Sequence, residues 1–217
     1  MKYNNKEAMR LYAVTDQTWT GKQTLMEQVE SALKGGVTCV QLREKKLDKE
    51  SFLKEAIEMK ELCSRYQVPF IVNDEVDIAI QCKADGVHVG QKDMEAGNVR
   101  ALVGEEMMIG VSARTVEQAL AAEKAGADYL GVGAVFGTAT KLDADTISHQ
   151  TLREICEAVK IPVVAIGGIT KKNIKELAGT GIDGVALVSA IFAAEDIEKE
   201  CRELRGIVEE TKNMKNS

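Results

Sequence analysis

The sequence predicts an α/β fold in which the 217 residues form a single (β/α)8 TIM barrel domain. Eight short apolar runs alternate strictly with helical patterns, and strict alternation is typical of a parallel sheet. Eight such units also match the usual length of a closed barrel. An open, doubly wound sheet is the alternative, but no G-x-G-x-x-G motif follows the first run. We therefore expect closure, with a polar extension over about residues 1–9 and a polar tail over about 210–217.

The predicted strands are apolar runs that end in polar or small residues, a pattern typical of strands buried on both faces. Pro69 can begin the third run but cannot continue through its middle, because it has no N–H to donate. In chain order the predicted strands cover residues 11–14, 37–42, 68–72, 86–89, 107–111, 129–132, 163–166 and 182–188.

The predicted helices follow these strands and carry apolar residues three or four positions apart. In the first of them, Leu25, Val29 and Leu33 share one face, and Gly35 follows as a stop signal. The pattern is clearest at 115–125 and weakest at 96–102. In chain order the predicted helices cover residues 22–34, 49–66, 76–82, 96–102, 115–125, 151–159, 171–177 and 197–208.

An internal repeat supports the closed barrel. The segments GGVTCV, KADGVHV, AGADYLGV and TGIDGVAL open the second, fourth, sixth and eighth strands, so two βα pairs form the repeating unit. Each segment follows a helix, makes a turn and begins a strand. We therefore interpret Asp85, Asp128 and Asp183 as structural turn residues at the amino-terminal end of the barrel.

Composition excludes several classes of function. A net charge of −6 argues against nonspecific nucleic-acid binding, which needs a basic surface. The five cysteines are widely spaced without a C-x-x-C pair, so we expect reduced, mostly buried thiols rather than disulfides or a zinc site. The start, MKYNNKEAMRLYAV, is too polar for a signal peptide, and no run approaches membrane-spanning length. We expect a cytoplasmic protein without a membrane partner; a homo-oligomer is compatible with the sequence.

The chemistry of such a barrel lies at the carboxyl ends of its strands. In this sequence those ends are polar or glycine-rich, and they favour a site for phosphate and a divalent metal. The candidate residues are Asp16, Gln41, Arg43, Lys45, Asn73, Asp74, Gln91, Asp93, Ser112, Thr138, Thr140, Lys141, Gly167, Gly168, Val188 and Ser189.

Two carboxylates predict a magnesium site. Asp74 and Asp93 follow the third and fourth strands, which are neighbours in a barrel, so their side chains can converge. A few protein oxygens completed by water and substrate phosphate is how Mg2+ is usually bound. Taken singly, either residue is also well explained as a helix cap or loop residue.

Three cations suit a diphosphate. Arg43 and Lys45 follow the second strand and Lys141 follows the sixth. A guanidinium binds phosphate oxygens in pairs, whereas an ammonium acts as a point charge. With a metal between them they would neutralise the charge of a departing diphosphate. Ordinary surface salt bridging is the alternative.

A second phosphate site is predicted at the ends of the seventh and eighth strands. Gly167 and Gly168 would let the backbone approach a ligand closely, and Val188 and Ser189 open a short helix. This is the usual phosphate position of (β/α)8 barrels. Two phosphate-binding ends imply two phosphorylated ligands, or one ligand with phosphate at both ends. His88 lies mid-strand, and we interpret it as an interior histidine with its hydrogen bonds satisfied.

The motifs together resemble the thiamine phosphate synthase family. The matching segments run in order from about residue 10 to 193: LYAVTD, VQLREK, IVND, DGVHVGQKD, GVSA, LGVGAVFGTATK, AIGGI and DGVALVSAI. The resemblance implies transfer of a hydroxymethylpyrimidine unit from its diphosphate to the nitrogen of a thiazole phosphate. It also implies that the carbon–oxygen bond breaks first, and that the thiazole nitrogen captures the pyrimidine carbocation.

The resemblance also assigns roles to residues. It implies that Arg43, Lys45, Asn73 and Lys141 hold the diphosphate, that Asp74 and Asp93 bind Mg2+, and that Gln41 and Ser112 contact the pyrimidine. Arg43, Lys45, Lys141 and Ser112 would be the catalytic set. The thiazole phosphate would meet Thr138, Thr140, Gly168, Val188 and Ser189.

One departure and two rival functions remain at this stage. Ala134 and Gly137 stand where the family usually has proline, which predicts a more mobile loop before substrate binds. A thiazole tautomerase resembles this fold but transfers a proton without a diphosphate. It would not need the whole charged set together: Arg43, Lys45, Asp74, Asp93 and Lys141. A catalytically silent binding protein on the same scaffold would be expected to lack a metal carboxylate or a diphosphate cation.

Overall fold

The computed structural model describes residues 5–21, 23–90, 99–137 and 146–213, and the predicted closed barrel is confirmed. Each strand pairs in parallel with the next, and β1 closes the barrel by pairing with β8. The strands are β1 Leu11–Val14, β2 Cys39–Leu42, β3 Phe70–Asn73, β4 Gly86–Val89, β5 Met108–Ala113, β6 Tyr129–Gly133, β7 Val163–Ile166 and β8 Gly184–Leu187.

Helices surround the sheet, and short 3-10 turns lie at Gln17–Trp19 and Ile174–Leu177. The α-helices in the described ranges are α1 Asn5–Ala8, α2 Leu25–Lys34, α3 Lys49–Arg65, α4 Val76–Gln81, α5 Val99–Val103, α6 Val116–Lys124, α7 His149–Ala158, α8 Ser189–Phe192 and α9 Ile197–Asn213.

Several elements differ from the predicted bounds. The helix expected at 151–159 begins instead at His149, because the Ser148 side chain accepts the backbone N–H of Thr151 and caps the helix start. The helix expected at 171–177 is reduced to the 3-10 turn at its end. Strand β5 also extends to Ala113, so Ser112 lies within the strand and not after it.

Within the described residues, positions 8–9 and 210–213 differ from the polar extension and tail that the sequence suggested. Ala8 and Met9, which were expected in a polar extension, are buried and pack among the residues inside the barrel. Helix α1 thus covers the apolar interior at its amino-terminal end. At the other terminus α9 continues to Asn213, and the Thr211 hydroxyl donates to the carbonyl of Ile207. The tail expected from about residue 210 is therefore helical to 213.

The five cysteines are free thiols, and all but Cys156 are buried, as expected. Burial raises the pKa of Cys63, Cys156 and Cys201 to about 12, so these thiols are protonated at neutral pH. Low-pKa, reactive cysteines need an electropositive and exposed setting, which these positions do not provide.

The repeated aspartates fasten the amino-terminal end of the sheet. Asp85, Asp128 and Asp183 each precede an even-numbered strand and accept the backbone N–H of a residue in the preceding odd-numbered strand, at 2.9, 2.8 and 3.1 Å. Thr38 does the same before β2, with its hydroxyl 2.8 Å from the N–H of Leu11. A cation pairs with each aspartate: Lys60, Arg100 and Lys6. The structural interpretation of these aspartates is confirmed, and their role is strand-to-strand bonding rather than turn formation alone.

Candidate active site

At the carboxyl ends of β1, β2 and β3, two of the predicted diphosphate cations, Arg43 and Lys45, each lie beside a carboxylate. The backbone N–H of Arg43 donates to the Thr15 hydroxyl at 3.0 Å, and its guanidinium lies 3.8 Å from the Asp16 carboxylate. The Lys45 ammonium lies 2.6 Å from the Asp74 carboxylate. These side chains keep solvent access, since Arg43 is 28% and Lys45 50% exposed. The cluster therefore presents two cations beside two carboxylates at one rim of the barrel.

Glu44 shapes the loop that carries these cations. Its side chain folds back and is buried, and one carboxylate oxygen accepts the backbone N–H groups of Lys45 and Lys46 at 2.7 and 2.8 Å. Burial works to raise the pKa of Glu44, but the backbone donors of Lys46 and Lys45 outweigh it, so the pKa lies below its usual value. The sequence analysis missed this residue, because a glutamate inside a charged run looks like ordinary surface.

Glu55 lies behind this loop. It accepts a hydrogen bond from the Gln17 amide at 3.2 Å, and burial together with the charge of Glu44 raises its pKa above the usual value. One carboxylate oxygen of each glutamate is buried without a hydrogen-bond partner. Glu44 alone bonds the loop backbone, and Glu55 is a second, partly desolvated carboxyl group close to it.

The backbone of Asp74 is held in an unusual conformation. Its backbone lies in the left-handed region at φ 64°, and its N–H donates to the carbonyl of His88 at 2.8 Å. Aspartate tolerates this conformation better than most side chains. One carboxylate oxygen already accepts a cation, the Lys45 ammonium, so the donor chemistry suits a hard metal ion. Its predicted partner Asp93 lies outside the described residues, and within the described ranges no group of three or more acidic, histidine or cysteine side chains could hold a metal.

The barrel interior contains a hydrogen-bonded chain of five side chains. The Gln41 amide nitrogen donates to the Tyr12 hydroxyl at 2.8 Å, and the Tyr12 and Tyr129 hydroxyls are 2.8 Å apart. The Tyr129 hydroxyl lies 3.1 Å from His88 Nδ1, and His88 Nε2 lies 3.0 Å from the Ser112 hydroxyl. His88 is thus a satisfied interior histidine, as expected, and it connects two residues assigned to the pyrimidine by resemblance.

The two tyrosines are neutral in this environment. Burial raises the pKa of both Tyr12 and Tyr129 well above the usual value, with further increases from the tyrosine neighbour of Tyr12 and from Cys39 beside Tyr129. Both hydroxyls therefore carry their proton at neutral pH and can donate one hydrogen bond each.

A glycine turn forms the end of β7. Gly167 and Gly168 have φ of 98° and 65°, which is the conformation that glycine adopts without strain. The carbonyl of Gly168 accepts a hydrogen bond from the Asn173 amide at 2.9 Å. A Cβ on Gly168 would come within 2.4 Å of the Gly137 carbonyl oxygen, so the loop after β6 packs directly on this turn.

Backbone hydrogen bonds fix the first half of the loop that follows β6. Val135 and Phe136 donate to the carbonyls of Ile166 and Gly167 at 3.0 and 3.1 Å, and Ile147 donates to the carbonyl of Ala134 at 2.8 Å. Alanine at 134 is buried in this arrangement. The remaining predicted loop residues Thr138, Thr140 and Lys141, like Gln91 and Asp93, lie outside the described residues.

Val188 and Ser189 lie where the sequence placed them. Val188 follows β8, and its carbonyl accepts the N–H groups of Ile191 and Phe192, which starts the short helix α8 at Ser189. Asn73 is the last residue of β3 and pairs in register with His88. Val188, Ser189 and Asn73 thus lie at the same carboxyl-terminal rim as Arg43 and Gly168.

A separate cavity of about 520 Å3 lies at the opposite end of the barrel, between the 3-10 turn at Ile174–Leu177, the start of β8 and the end of α9. Its walls are mostly aliphatic and glycine, with Asp183 and Lys212 as the charged side chains. Because the aspartate is engaged in strand bonding, we do not assign this cavity to the reaction.

Fold and site together define a (β/α)8 barrel whose carboxyl-terminal rim carries cations paired with carboxylates. The thiamine monophosphate synthase family model matches residues 11–191. The chain belongs to this family. It is therefore a transferase of the thiamine-phosphate synthase type.

Individual relatives are similar to this chain in sequence over nearly its full length. The thiamine-phosphate synthase of Clostridium tetani is 47% identical over 208 residues, covering 96% of this chain and 100% of the relative. That of Clostridium botulinum is 49% identical over 201 residues, covering 93% and 94%. The solved thiamine phosphate pyrophosphorylase of Pyrococcus furiosus superposes with a TM-score of 0.88 at 42% identity, covering 97% of this chain and 100% of that one. In the described ranges, no helix has both the length and the apolarity that crossing a membrane requires.

Proposed function

We propose that this enzyme joins 4-amino-2-methyl-5-hydroxymethylpyrimidine diphosphate to 4-methyl-5-(2-phosphoethyl)thiazole, giving thiamine phosphate and diphosphate. The observation that carries the proposal is the charged rim formed by Arg43, Lys45, Asp16 and Asp74 at the ends of β1 to β3. Such a rim suits a leaving group with several negative charges and a metal bound to it.

The residues at this rim would assist departure of the diphosphate. The bond between the pyrimidine methylene carbon and the diphosphate oxygen breaks, and its electron pair goes to that oxygen. Arg43 and Lys45 would stabilise the negative charge as it develops, because preorganised charges act most strongly where charge appears in the transition state. Mg2+, bound by Asp74 and Asp93, would supply further charge neutralisation on the diphosphate.

The second half of the reaction forms a carbon–nitrogen bond. The lone pair of the thiazole nitrogen attacks the electron-poor methylene carbon and leaves a thiazolium cation. This nitrogen carries no proton, so the step needs orientation rather than a general base. Gly168, Val188 and Ser189, with Thr138 and Thr140, would orient the thiazole through its phosphate, while Gln41, Asn73 and Ser112 would hold the pyrimidine diphosphate with Lys141.

The direct test is diphosphate release by the purified protein with both substrates and Mg2+. We expect release that requires the thiazole phosphate and equals the thiamine phosphate formed. Omitting Mg2+ and adding a chelator is expected to stop both. Tight binding of both substrates with no release would identify a silent binding protein instead, and conversion of a thiazole phosphate isomer without diphosphate would identify a tautomerase.

The glycine turn after β7 provides a second prediction. Gly168→Ala is expected to raise the KM for the thiazole phosphate by at least about 10-fold, because the added methyl meets two carbonyl oxygens of the neighbouring loop and a left-handed backbone disfavours alanine. The KM for the pyrimidine diphosphate should change less. Gly206→Ala is the matched control, since its Cβ meets nothing within 4 Å. Equal KM values for the wild type and Gly168→Ala would remove this turn from the phosphate site.

A further inference from the structure

Two carboxyl groups lie together at the loop of residues 43–48, which carries two of the proposed diphosphate cations. Glu44 belongs to this loop and is only 7% exposed, while Glu55 lies on α3. The Gln17 amide nitrogen donates to Glu55 at 3.2 Å, and the same side chain also interacts with Glu44 and helps to lower its pKa. Because one amide reaches both glutamates, the two carboxyl groups lie beside each other.

Each of these glutamates has one oxygen with no hydrogen bond. The Oε2 atoms of Glu44 and Glu55 are both buried and have no partner. An acceptor that is removed from water without a donor is costly, and a charged acceptor is more so. Two ionised carboxylates cannot help each other, since both only accept. A single proton on one Oε2 would make that atom a donor to the other, and would therefore satisfy both.

The surroundings determine which glutamate carries such a proton. The Oε1 atom of Glu44 accepts the backbone N–H groups of Lys45 and Lys46 at 2.7 and 2.8 Å, and these bonds favour the charged carboxylate. The charges that act on Glu55 are both negative, Glu44 from the loop and Glu58 from the same helix. Burial and these charges raise the pKa of Glu55, whereas the pKa of Glu44 is lowered. The proton therefore belongs to Glu55.

We propose that Glu44 and Glu55 are positioning residues that hold the diphosphate-binding loop by sharing one proton, which Glu55 donates and Glu44 accepts. The shared proton keeps Glu44 folded back, where it bonds the backbone N–H of Lys45. The Lys45 ammonium in turn lies 2.6 Å from Asp74 at the charged rim. This inference rests on the proposed function for the ligand that the loop binds, but the sharing of the proton does not depend on it.

The proposal makes the loop sensitive to pH. Because the pKa of Glu55 is raised in the folded protein, the stabilisation is complete below its unfolded pKa and is lost as the pH rises through its folded pKa. Above that pH two adjacent, partly desolvated carboxylates repel each other, and Glu44 is held less firmly. Glu55→Gln places an amide N–H donor at the same position, and this donor does not ionise.

Urea unfolding of the wild type and Glu55→Gln between about pH 5 and about pH 9 tests the shared proton without any ligand. We expect similar stability at the lowest pH and a growing advantage of Glu55→Gln as the pH rises. Glu58→Gln is the control, because it removes the same charge from an exposed position on the same helix. Its difference from the wild type should stay nearly constant with pH.

The same unfolding experiment in a Glu44→Gln background identifies the partner. The advantage of Glu55→Gln at high pH should disappear there, because the neighbouring carboxylate is gone. A pH-independent difference between the wild type and Glu55→Gln, or an advantage that survives in the Glu44→Gln background, would overturn the shared proton.

The positioning role is tested by calorimetric binding of inorganic diphosphate with Mg2+ over the same pH range. We expect Glu55→Gln and the wild type to bind equally at the lowest pH, and Glu55→Gln to bind at least about threefold more tightly at the highest. Taking the ratio of the two Kd values at each pH cancels the ionisation of the diphosphate itself. Glu58→Gln should bind as the wild type does. Equal Kd values for Glu55→Gln and the wild type at every pH would overturn the positioning role.

These results separate the two proposals. A wild type that neither binds nor releases diphosphate at any pH would refute the proposed function, and the unfolding comparison would still decide whether Glu44 and Glu55 share a proton. A wild type that forms thiamine phosphate, with Glu55→Gln following its pH dependence throughout, would overturn the present inference and leave the synthase assignment standing.

Discussion

Asp74→Asn is expected to lower the rate of diphosphate release at least about 100-fold, since the change removes a carboxylate charge proposed to bind the metal. Asparagine is the informative replacement because it tolerates the left-handed backbone of Asp74, at φ 64°, as aspartate does. The side chain is partly exposed, so we expect the variant to fold normally. The measurement is turnover as a function of Mg2+ concentration, with thermal unfolding as a check on the fold.

Asp77→Asn is the matched control for this experiment. Asp77 lies three residues further along the chain, is 74% exposed, and is 3.9 Å from Lys49. It should retain wild-type turnover at every Mg2+ concentration. If Asp74→Asn also kept the wild-type rate and Mg2+ dependence, Asp74 would have no part in metal binding, and its pairing with Lys45 would be a structural salt bridge only.

The second large effect is expected at the opposite end of the barrel. Asp128→Ala should lower the free energy of unfolding by about 3 kcal/mol, because it leaves a largely buried cation and a backbone donor without their acceptor. The Asp128 carboxylate accepts both the Arg100 guanidinium at 2.6 Å and the N–H of Ile109 at 2.8 Å. Urea unfolding followed by circular dichroism measures this difference.

Two further variants help to explain the expected loss of stability in Asp128→Ala. Asp128→Asn keeps a carbonyl acceptor for Ile109 but removes the charge, so it should lie between wild type and Asp128→Ala. Asp77→Ala breaks the exposed Lys49 pair and should change stability by less than about 0.5 kcal/mol. An Asp128→Ala variant as stable as Asp77→Ala would show that the repeated aspartates are dispensable turn residues.

Much of the candidate site followed from the sequence because it depends on order along the chain. In a parallel barrel, the residue after each strand must lie at one rim, so Arg43, Lys45 and Asp74 could be grouped before any contact was known. The structure pairs Lys45 with Asp74 and places Arg43 beside Asp16. Asp93, Lys141 and the threonines of the sixth-strand loop lie outside the described residues, so their assignments stay predictions.

Other features could not be predicted, since they depend on which way a side chain turns. Glu44 stands between Arg43 and Lys45 in a charged run, and only its folding back beneath the loop reveals that it binds the backbone of Lys45 and Lys46. Ala8 and Met9 read as part of a polar extension because too few residues precede β1 to show a periodic pattern, yet they close the barrel interior.

The sequence by itself determined the barrel, its polar rim and the structural character of the opposite end, because strand order and hydrophobic periodicity are local properties of the chain. Tertiary structure alone decided that Tyr12 and Tyr129, 117 positions apart, share a hydrogen bond and link Gln41 to Ser112 through His88. In the sequence these two tyrosines look like ordinary members of apolar runs. Their meeting depends on closure of the sheet, which brings inward-facing side chains of distant strands within hydrogen-bonding distance.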